Sequence, residues 1–210
     1  MKQYQYGNPD ADTVLIQLVD DHDLAVIENE AAEIQRLTNS EFHLLAIKVN
    51  NWNHDLSPWE TKAVFGNVPF GNGAADTLSK VLIYTTDKRK TYFIGGYSLS
   101  GLFALWAAYQ TDVFKGVAAA SPSIWFPQFT DYMREQRIQS KYVYLSLGDK
   151  EPKTRNAVMA TVGDRIQEAY EILSNQGVNY TSEWNQGNHF NEPDLRTARA
   201  FSWLMKTAEI

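Results

Sequence analysis

The chain has 210 residues, of which 44% are hydrophobic and 21% charged, and its formal net charge is −6 with a pI near 5.2. We expect residues 1–210 to form a single domain, since this length supports one core. The acidic balance argues against nucleic acid or an anionic membrane as partner. The sequence has no cysteine, secretion signal or membrane-spanning apolar run, so a cytoplasmic location is expected.

Predicted strands and helices alternate along the first half of the chain. They comprise a strand over 13–19, a helix over 24–37 with Asp23 as its N-cap, a strand over 42–49 and a helix over 74–84. A long loop over 50–72 separates the last two. It is rich in tryptophan and phenylalanine, so we expect it to fold over the sheet.

The same alternation continues through the second half. Strands are predicted over 91–94, 116–120, 142–147 and 178–184, with helices from about Leu102, over 155–175 and over 194–206. This pattern predicts an α/β protein with a mostly parallel twisted sheet and helices on both faces. Ligands in such folds bind at the carboxyl ends of the strands.

One strand is followed by a sharp turn that carries a serine. The stretch KTYFIGGYSLSG reads as a strand, ended by Gly95 and Gly96, then a turn with Ser98 at its apex. It resembles the G-x-S-x-G elbow of serine hydrolases, except that Ser100 replaces the last glycine and Gly101 follows. The strand before the turn and the helix after it are the context that this motif requires, so Ser98 is a candidate nucleophile.

A serine nucleophile needs a base and an acid. Of four histidines, His189 follows the last strand and precedes the last helix, where the order serine, acid, histidine places the base. The strand over 142–147 leads into a turn with two carboxylates, Asp149 and Glu151. Chain order leaves both open as the acid, and a solvated charged turn is the alternative explanation.

Several segments together resemble an esterase family of the α/β-hydrolases, which includes esterase D (S-formylglutathione hydrolase), feruloyl esterase modules and siderophore esterases. They are DLSPW at 55–59, GYSLSGLFALW at 96–106, SPSIWF at 121–126, GDKEPKTRN at 148–156 and GNHF at 187–190. The resemblance implies the α/β-hydrolase fold, with Ser98 as nucleophile and His189 as base. It places the acid three residues after the glycine that ends the strand, at Glu151.

An oxyanion hole would take one backbone N–H from Leu99 and one from the loop after the first core strand, where we predict Asp21. The family commonly has glycine in that loop, whereas this chain has Asp20, Asp21, His22 and Asp23. Their carboxylates would oppose an oxyanion unless they point away. A metal site there is an alternative, but helix capping and solvated charge explain the same residues, so we expect no metal.

These residues predict a serine carboxylesterase that forms an acyl-enzyme on Ser98, acts on a small or aryl ester and uses no cofactor. Trp52 and Trp125 are candidate pocket residues, because each lies in a loop beside the predicted site. A siderophore ester of the enterobactin type or a thioester is an alternative substrate, although the net negative charge argues against an anionic one. A non-catalytic binding module with the same fold is the alternative from another class. No oligomeric state is predicted.

Overall fold

The computed structural model describes residues 1–208, within which seven strands form one sheet. The strands are β1 (Lys2–Gly7), β2 (Thr13–Val19), β3 (His43–Lys48), β4 (Thr91–Tyr97), β5 (Phe114–Ala120), β6 (Tyr142–Gly148) and β7 (Asn179–Asn185). Their order is β1-β3-β2-β4-β5-β6-β7. β1 is antiparallel to β3 and all other neighbours are parallel, so the carboxyl ends of β2 to β7 share one edge.

Helices cover both faces of this sheet, as predicted. The helices are α1 (Asp21–Thr38), α2 (Trp52–Asp55), α3 (Ala74–Leu82), α4 (Leu99–Gln110), α5 (Phe129–Glu135), α6 (Val162–Asn175) and α7 (Pro193–Thr207). Alternate side chains of β2 enter two cores, because successive residues of a strand point to opposite faces. Leu15 packs in the core with α1 and α7, whereas Ile16 packs in the core with α3, α4 and α6. Within residues 1–208 no helix is both long and apolar enough to cross a membrane.

The first helix begins earlier than its pattern suggested, and the predicted N-cap was wrong. The Asp20 carboxylate accepts the backbone N–H of His22 at 2.7 Å and that of Asp23 at 2.9 Å. The Asp23 carboxylate in turn accepts the Asp20 N–H at 3.1 Å. Asp20 is therefore the N-cap and Asp23 completes a capping box. By residue type, either of these two aspartates could be the N-cap. Which one it is depends on the residue at which β2 ends.

The edge strand β1 was not among the predicted strands. It pairs only with β3 within the described residues, and its side chains are mostly exposed or half-buried. Tyr4 and Tyr6 pack against the core, while the residues between and around them are polar. Two tyrosines at alternate positions are too short an alternating pattern to predict a strand by themselves.

The predicted helix over 155–175 was wrong in its first part, since α6 begins only at Val162. Asn156 shapes the preceding segment into a turn. Its side-chain oxygen accepts the N–H groups of Val158 and Met159, at 3.0 and 3.1 Å, and its side-chain nitrogen donates to the carbonyl of Val64 at 2.6 Å. This contact ties the turn to the loop over 50–72. That loop packs against the core through buried Phe70.

The strand predicted before Ser98 ended too early, and the helix predicted after it began too late. β4 continues through Gly95 and Gly96 to Tyr97, because both glycines stay in register with β5. α4 begins at Leu99 rather than at Leu102. A single residue therefore joins the strand to the helix.

Candidate active site

Ser98 is the residue that joins β4 to α4. Its backbone angles, φ 58° and ψ −122°, are strained for a residue with a Cβ atom. Gly96 makes the turn possible, since a Cβ there would lie 2.0 Å from the Ser100 hydroxyl oxygen. The missing glycine of the motif is therefore compensated, because Ser100 occupies space that Gly96 leaves free. The turn places the Ser98 hydroxyl at the carboxyl edge of the sheet.

Three predicted side chains form one hydrogen-bonded chain at this edge. Nε2 of His189 lies 3.0 Å from Oγ of Ser98, and Nδ1 of His189 lies 2.7 Å from Oε2 of Glu151. His189 comes from the loop after β7 and Glu151 from the turn after β6. A carboxylate on Nδ1 favours the tautomer in which Nε2 is free to accept a proton from serine.

Glu151 is buried and held by several donors besides His189. Its Oε1 accepts the Gly148 backbone N–H at 2.7 Å, the Ser121 hydroxyl at 2.8 Å and Nη1 of Arg196 at 3.1 Å. Burial would raise the pKa of Glu151, but the hydrogen bonds and positive charge around it prevail and hold that pKa below its usual value. The acid beside His189 is therefore ionised at neutral pH.

Asp149, the other candidate acid, has a different partner. Its Oδ1 accepts the backbone N–H of Gly187 at 2.7 Å. The backbone N–H groups of Asp149 and Lys150 donate to the carbonyls of Asn185 and Gly187, at 2.9 and 3.1 Å. These bonds join the loop after β6 to the loop after β7. Asp149 thus supports the geometry that brings Glu151 to the histidine.

Arg196 of α7 was missed by the sequence interpretation. It is fully buried, and its Nη2 donates to the carbonyls of Gln186 and Asn188, both at 3.1 Å. A buried charge requires such pairing, and Glu151 supplies the counter-charge. The signal was present in the sequence, because Arg196 lies in helical register with Ala200 on the apolar face of the last helix.

Tyr97, the last residue of β4, links Arg196 to the candidate base. Nη1 of Arg196 donates to the Tyr97 hydroxyl at 3.0 Å, and that hydroxyl donates to the backbone carbonyl of His189 at 2.9 Å. Burial raises the pKa of Tyr97 to about 12, so its hydroxyl keeps its proton. The loop carrying His189 is therefore fixed through its backbone as well as its ring.

The two predicted oxyanion donors lie at the same edge. Leu99 and Asp21 are the first residues of α4 and α1, where backbone N–H groups have no acceptor within the helix. These helices begin at the ends of β4 and β2, which are neighbours in the sheet. The Ser100 hydroxyl donates to the Leu18 carbonyl at 2.7 Å and connects the two turns.

The acidic residues around Asp21 are engaged in local contacts. Asp20 and Asp23 form the capping box, and the Asp21 carboxylate pairs with Lys48, whose hydrogen bond lowers the pKa of Asp21. Burial, followed by repulsion from Asp20, raises the pKa of Asp23 to about 7. Among residues 1–208 no three acidic or histidine side chains are grouped as metal ligands. Helix capping thus accounts for Asp20 and Asp23, and the ion pair with Lys48 accounts for Asp21.

A cavity of about 400 Å³ opens beside Glu151 and His189. Apart from these two, its wall includes Trp125, Met159, Val162, Phe190, Lys150 and Lys153. Trp125 is held in place by edge contacts with Phe65 and Phe70 of the loop over 50–72. Trp52, also predicted to line a pocket, is not part of the wall of this cavity and packs half-buried against the core.

The arrangement is that of the α/β-hydrolase fold, which the comparison with solved structures bears out. An IroE-like serine hydrolase from Shewanella oneidensis superposes with a TM-score of 0.77 at 16% identity, over 99% of this chain and 76% of that one. The siderophore hydrolase EstA from Aspergillus nidulans gives 0.69 at 17% identity, over 97% and 86%. A Bacillus cereus carboxylesterase gives 0.61 at 16% identity, over 98% and 94%. No protein-family model matches the chain, and no curated protein matches its sequence.

Proposed function

We propose that this protein is a serine carboxylesterase that hydrolyses a small or aryl ester through an acyl-enzyme on Ser98. The observation that carries the proposal is the unbroken hydrogen-bond chain from Ser98 through His189 to an ionised Glu151. Such a chain serves to remove a proton from a hydroxyl that is otherwise a poor nucleophile. The names of the three structural neighbours, two hydrolases and a carboxylesterase, support the same class of reaction.

In the first half of the proposed reaction, Oγ of Ser98 attacks the ester carbonyl carbon while Nε2 of His189 takes its proton. Glu151 stabilises the imidazolium through Nδ1, and the N–H groups of Leu99 and Asp21 receive the carbonyl oxygen as it becomes negative. His189 then gives its proton to the departing alcohol oxygen. In the second half water attacks the acyl-enzyme, His189 accepts the water proton and returns it to Ser98, and the carboxylic acid leaves.

The test is turnover of a panel of nitrophenyl esters by the wild-type protein and by Ser98→Ala. We expect the variant to lose on the order of a million-fold in kcat, as in other serine hydrolases that lose the nucleophile. Ser140→Ala is the matched control, since Ser140 is also buried but donates to the Phe114 carbonyl at the opposite end of β5. It should keep near wild-type activity.

Two outcomes would contradict this proposal. A Ser98→Ala variant with wild-type turnover would exclude Ser98 as nucleophile. A folded wild-type protein that turns over no ester, thioester or aryl substrate would instead favour the non-catalytic binding module.

A second candidate substrate is a siderophore-type ester with an anionic aromatic group. The observation in its favour is that Lys150 and Lys153 line the cavity together with Trp125 and Phe190. Cations beside aromatic rings suit an aromatic anion, and the charge near the bound group matters more than the net charge of −6. EstA, one of the structural neighbours, is named a siderophore hydrolase.

This candidate is tested with two aryl esters that differ only in a carboxylate on the ring. Replacing Lys150 and Lys153 with glutamine should lower kcat/KM for the anionic ester by up to about 30-fold, the upper limit for two exposed charge pairs. The neutral ester should be unaffected, and added salt should reduce the difference. Lys141→Gln, an exposed lysine outside the cavity, is the control. An equal loss for both esters would contradict the candidate.

A further inference from the structure

The turn after β5, residues 121–123, touches both ends of the hydrogen-bond chain. The Ser121 hydroxyl donates to Oε1 of Glu151 at 2.8 Å, and Oγ of Ser123 lies 3.2 Å from Oγ of Ser98. Ser121 has φ 41°, a left-handed conformation that is uncommon for a residue other than glycine. This strained turn therefore directs one hydroxyl to the acid and the other to the nucleophile.

The backbone holds Ser123 directly behind the elbow. The Ser98 N–H donates to the Ala120 carbonyl at 3.2 Å, and the Ser123 N–H donates to the Ser98 carbonyl at 3.0 Å. Gly101 permits the close approach of α4, since a Cβ there would lie 3.3 Å from the Ala120 carbonyl oxygen and 3.4 Å from Cα of Pro122. The position of Ser123 relative to Ser98 is thus set by main-chain bonds on both sides.

The direction of the hydrogen bond between the two hydroxyls follows from the number of protons. Ser123 is only 2% exposed, and within residues 1–208 its hydroxyl has Oγ of Ser98 as its one hydrogen-bond partner. A buried hydroxyl donor needs an acceptor. The single Ser98 proton points to Nε2 of His189 when the base is ready to accept it. Ser123 is then the donor, and Ser98 accepts.

We propose that Ser123 is a further catalytic residue, whose hydroxyl donates a hydrogen bond to Oγ of Ser98 during proton transfer. The proposal rests on the proposed function of Ser98. As His189 removes the proton, negative charge grows on Oγ, and a hydrogen bond to a charged oxygen is about twice as strong as a neutral one. Ser123 donates again when Oγ leaves the acyl group and regains its proton from His189. It keeps its own proton throughout.

The experiment measures how fast a fluorophosphonate labels Ser98 in the wild type, Ser123→Ala and Ser123→Cys. Alanine removes the donor, whereas cysteine places a larger sulfur there and supplies only a weak donor. Ser123→Ala should label Ser98 about 10- to 100-fold more slowly, the range for losing a hydrogen bond to a charged group, and Ser123→Cys should be slowed by a smaller factor. The value of kcat should fall comparably. KM should stay within about twofold, because Ser123 does not line the cavity.

Controls separate this role from a structural one and from failure of the proposed function. Ser140→Ala should label at the wild-type rate. The pH profile of kcat/KM should be the same in the Ser123 variants as in the wild type, because the histidine and its acid are untouched. A shifted pH profile or a raised KM would indicate a displaced site and overturn the proposal, as would wild-type labelling in either variant. If alanine prevents folding, the cysteine variant decides. A wild-type protein without label on Ser98 would instead refute the proposed function.

Discussion

Replacing Arg196 with methionine should destabilise the protein strongly, because Arg196 is a buried cation with five polar partners. They are the Tyr97 hydroxyl, the Ser121 hydroxyl, Oε1 of Glu151 and the carbonyls of Gln186 and Asn188. Methionine retains much of the side-chain length but removes the charge and every donor. Glu151 would keep its burial and lose its permanent counter-charge.

The expected loss of stability follows from the buried Glu151 carboxylate, which would remain without its ion-pair partner. Removing one partner of a buried ion pair costs about 3–5 kcal/mol, whereas an exposed pair contributes about 0–1 kcal/mol. For a chain of this size each kcal/mol lowers Tm by roughly 2–4 °C, so Arg196→Met should lower Tm by about 6–20 °C. Arg134→Met is the matched control, because Arg134 is exposed and pairs on the surface with Asp131 and Glu168.

The assay is thermal unfolding followed by circular dichroism, in a double-mutant cycle with Glu151→Gln. Each single variant leaves a buried charged group without its partner, so the double variant should lose less stability than the sum of the two. A Tm decrease no larger than that of Arg134→Met would refute the reasoning. Strict additivity with Glu151→Gln would also refute it, since it would mean that the two charges do not interact.

Three further predictions concern the acid, the pH dependence of stability and the cavity. Glu151→Gln should lower kcat by roughly a thousand- to ten-thousand-fold, whereas Asp149→Asn should lower it far less. If steady-state kinetics gave the reverse order, Asp149 would be the acid. Burial raises the pKa of Glu30 well above its usual 4.5. Above pH 4.5 the folded state therefore retains a proton that the unfolded state releases, so the free energy of unfolding should fall as the pH rises above about 4.5. Urea unfolding at several pH values should show that Glu30→Gln lacks this pH-dependent loss of stability. Glu28→Gln, at an exposed position, should retain it. Trp125→Ala should raise KM for aryl esters with little change in kcat, and an unchanged KM would remove Trp125 from the substrate cavity.

The sheet and the elbow were predictable because their signals are local. Apolar runs and the spacing of turn residues located β2 to β7, and the motif around Ser98 survives the replacement of one glycine. His189 was identified from chain order alone, because the α/β topology brings the ends of parallel strands to one edge. The choice of Glu151 over Asp149 depended on the resemblance, since both residues follow the same strand.

The supporting residues were harder to predict because their partners are distant in sequence. Arg196 contacts groups from the ends of β4, β5, β6 and β7, and a pattern within one helix does not reveal which of them it meets. Ser123 lies in a turn whose strained geometry is set by Ser121 and by the approach of α4. The start of α6 was missed for a related reason, since the Asn156 side chain that shapes the preceding turn is also bonded to the distant carbonyl of Val64.

The most direct test of the central claim is the site of a fluorophosphonate adduct, located by tandem mass spectrometry. Trypsin should release residues 91–115 as one peptide that contains both Ser98 and Ser100, so fragment ions must assign the adduct. The account predicts a single adduct on Ser98 in the wild type and none in Ser98→Ala. An adduct on Ser100, or labelling of this peptide that persists in Ser98→Ala, would contradict the assignment of Ser98 as the nucleophile.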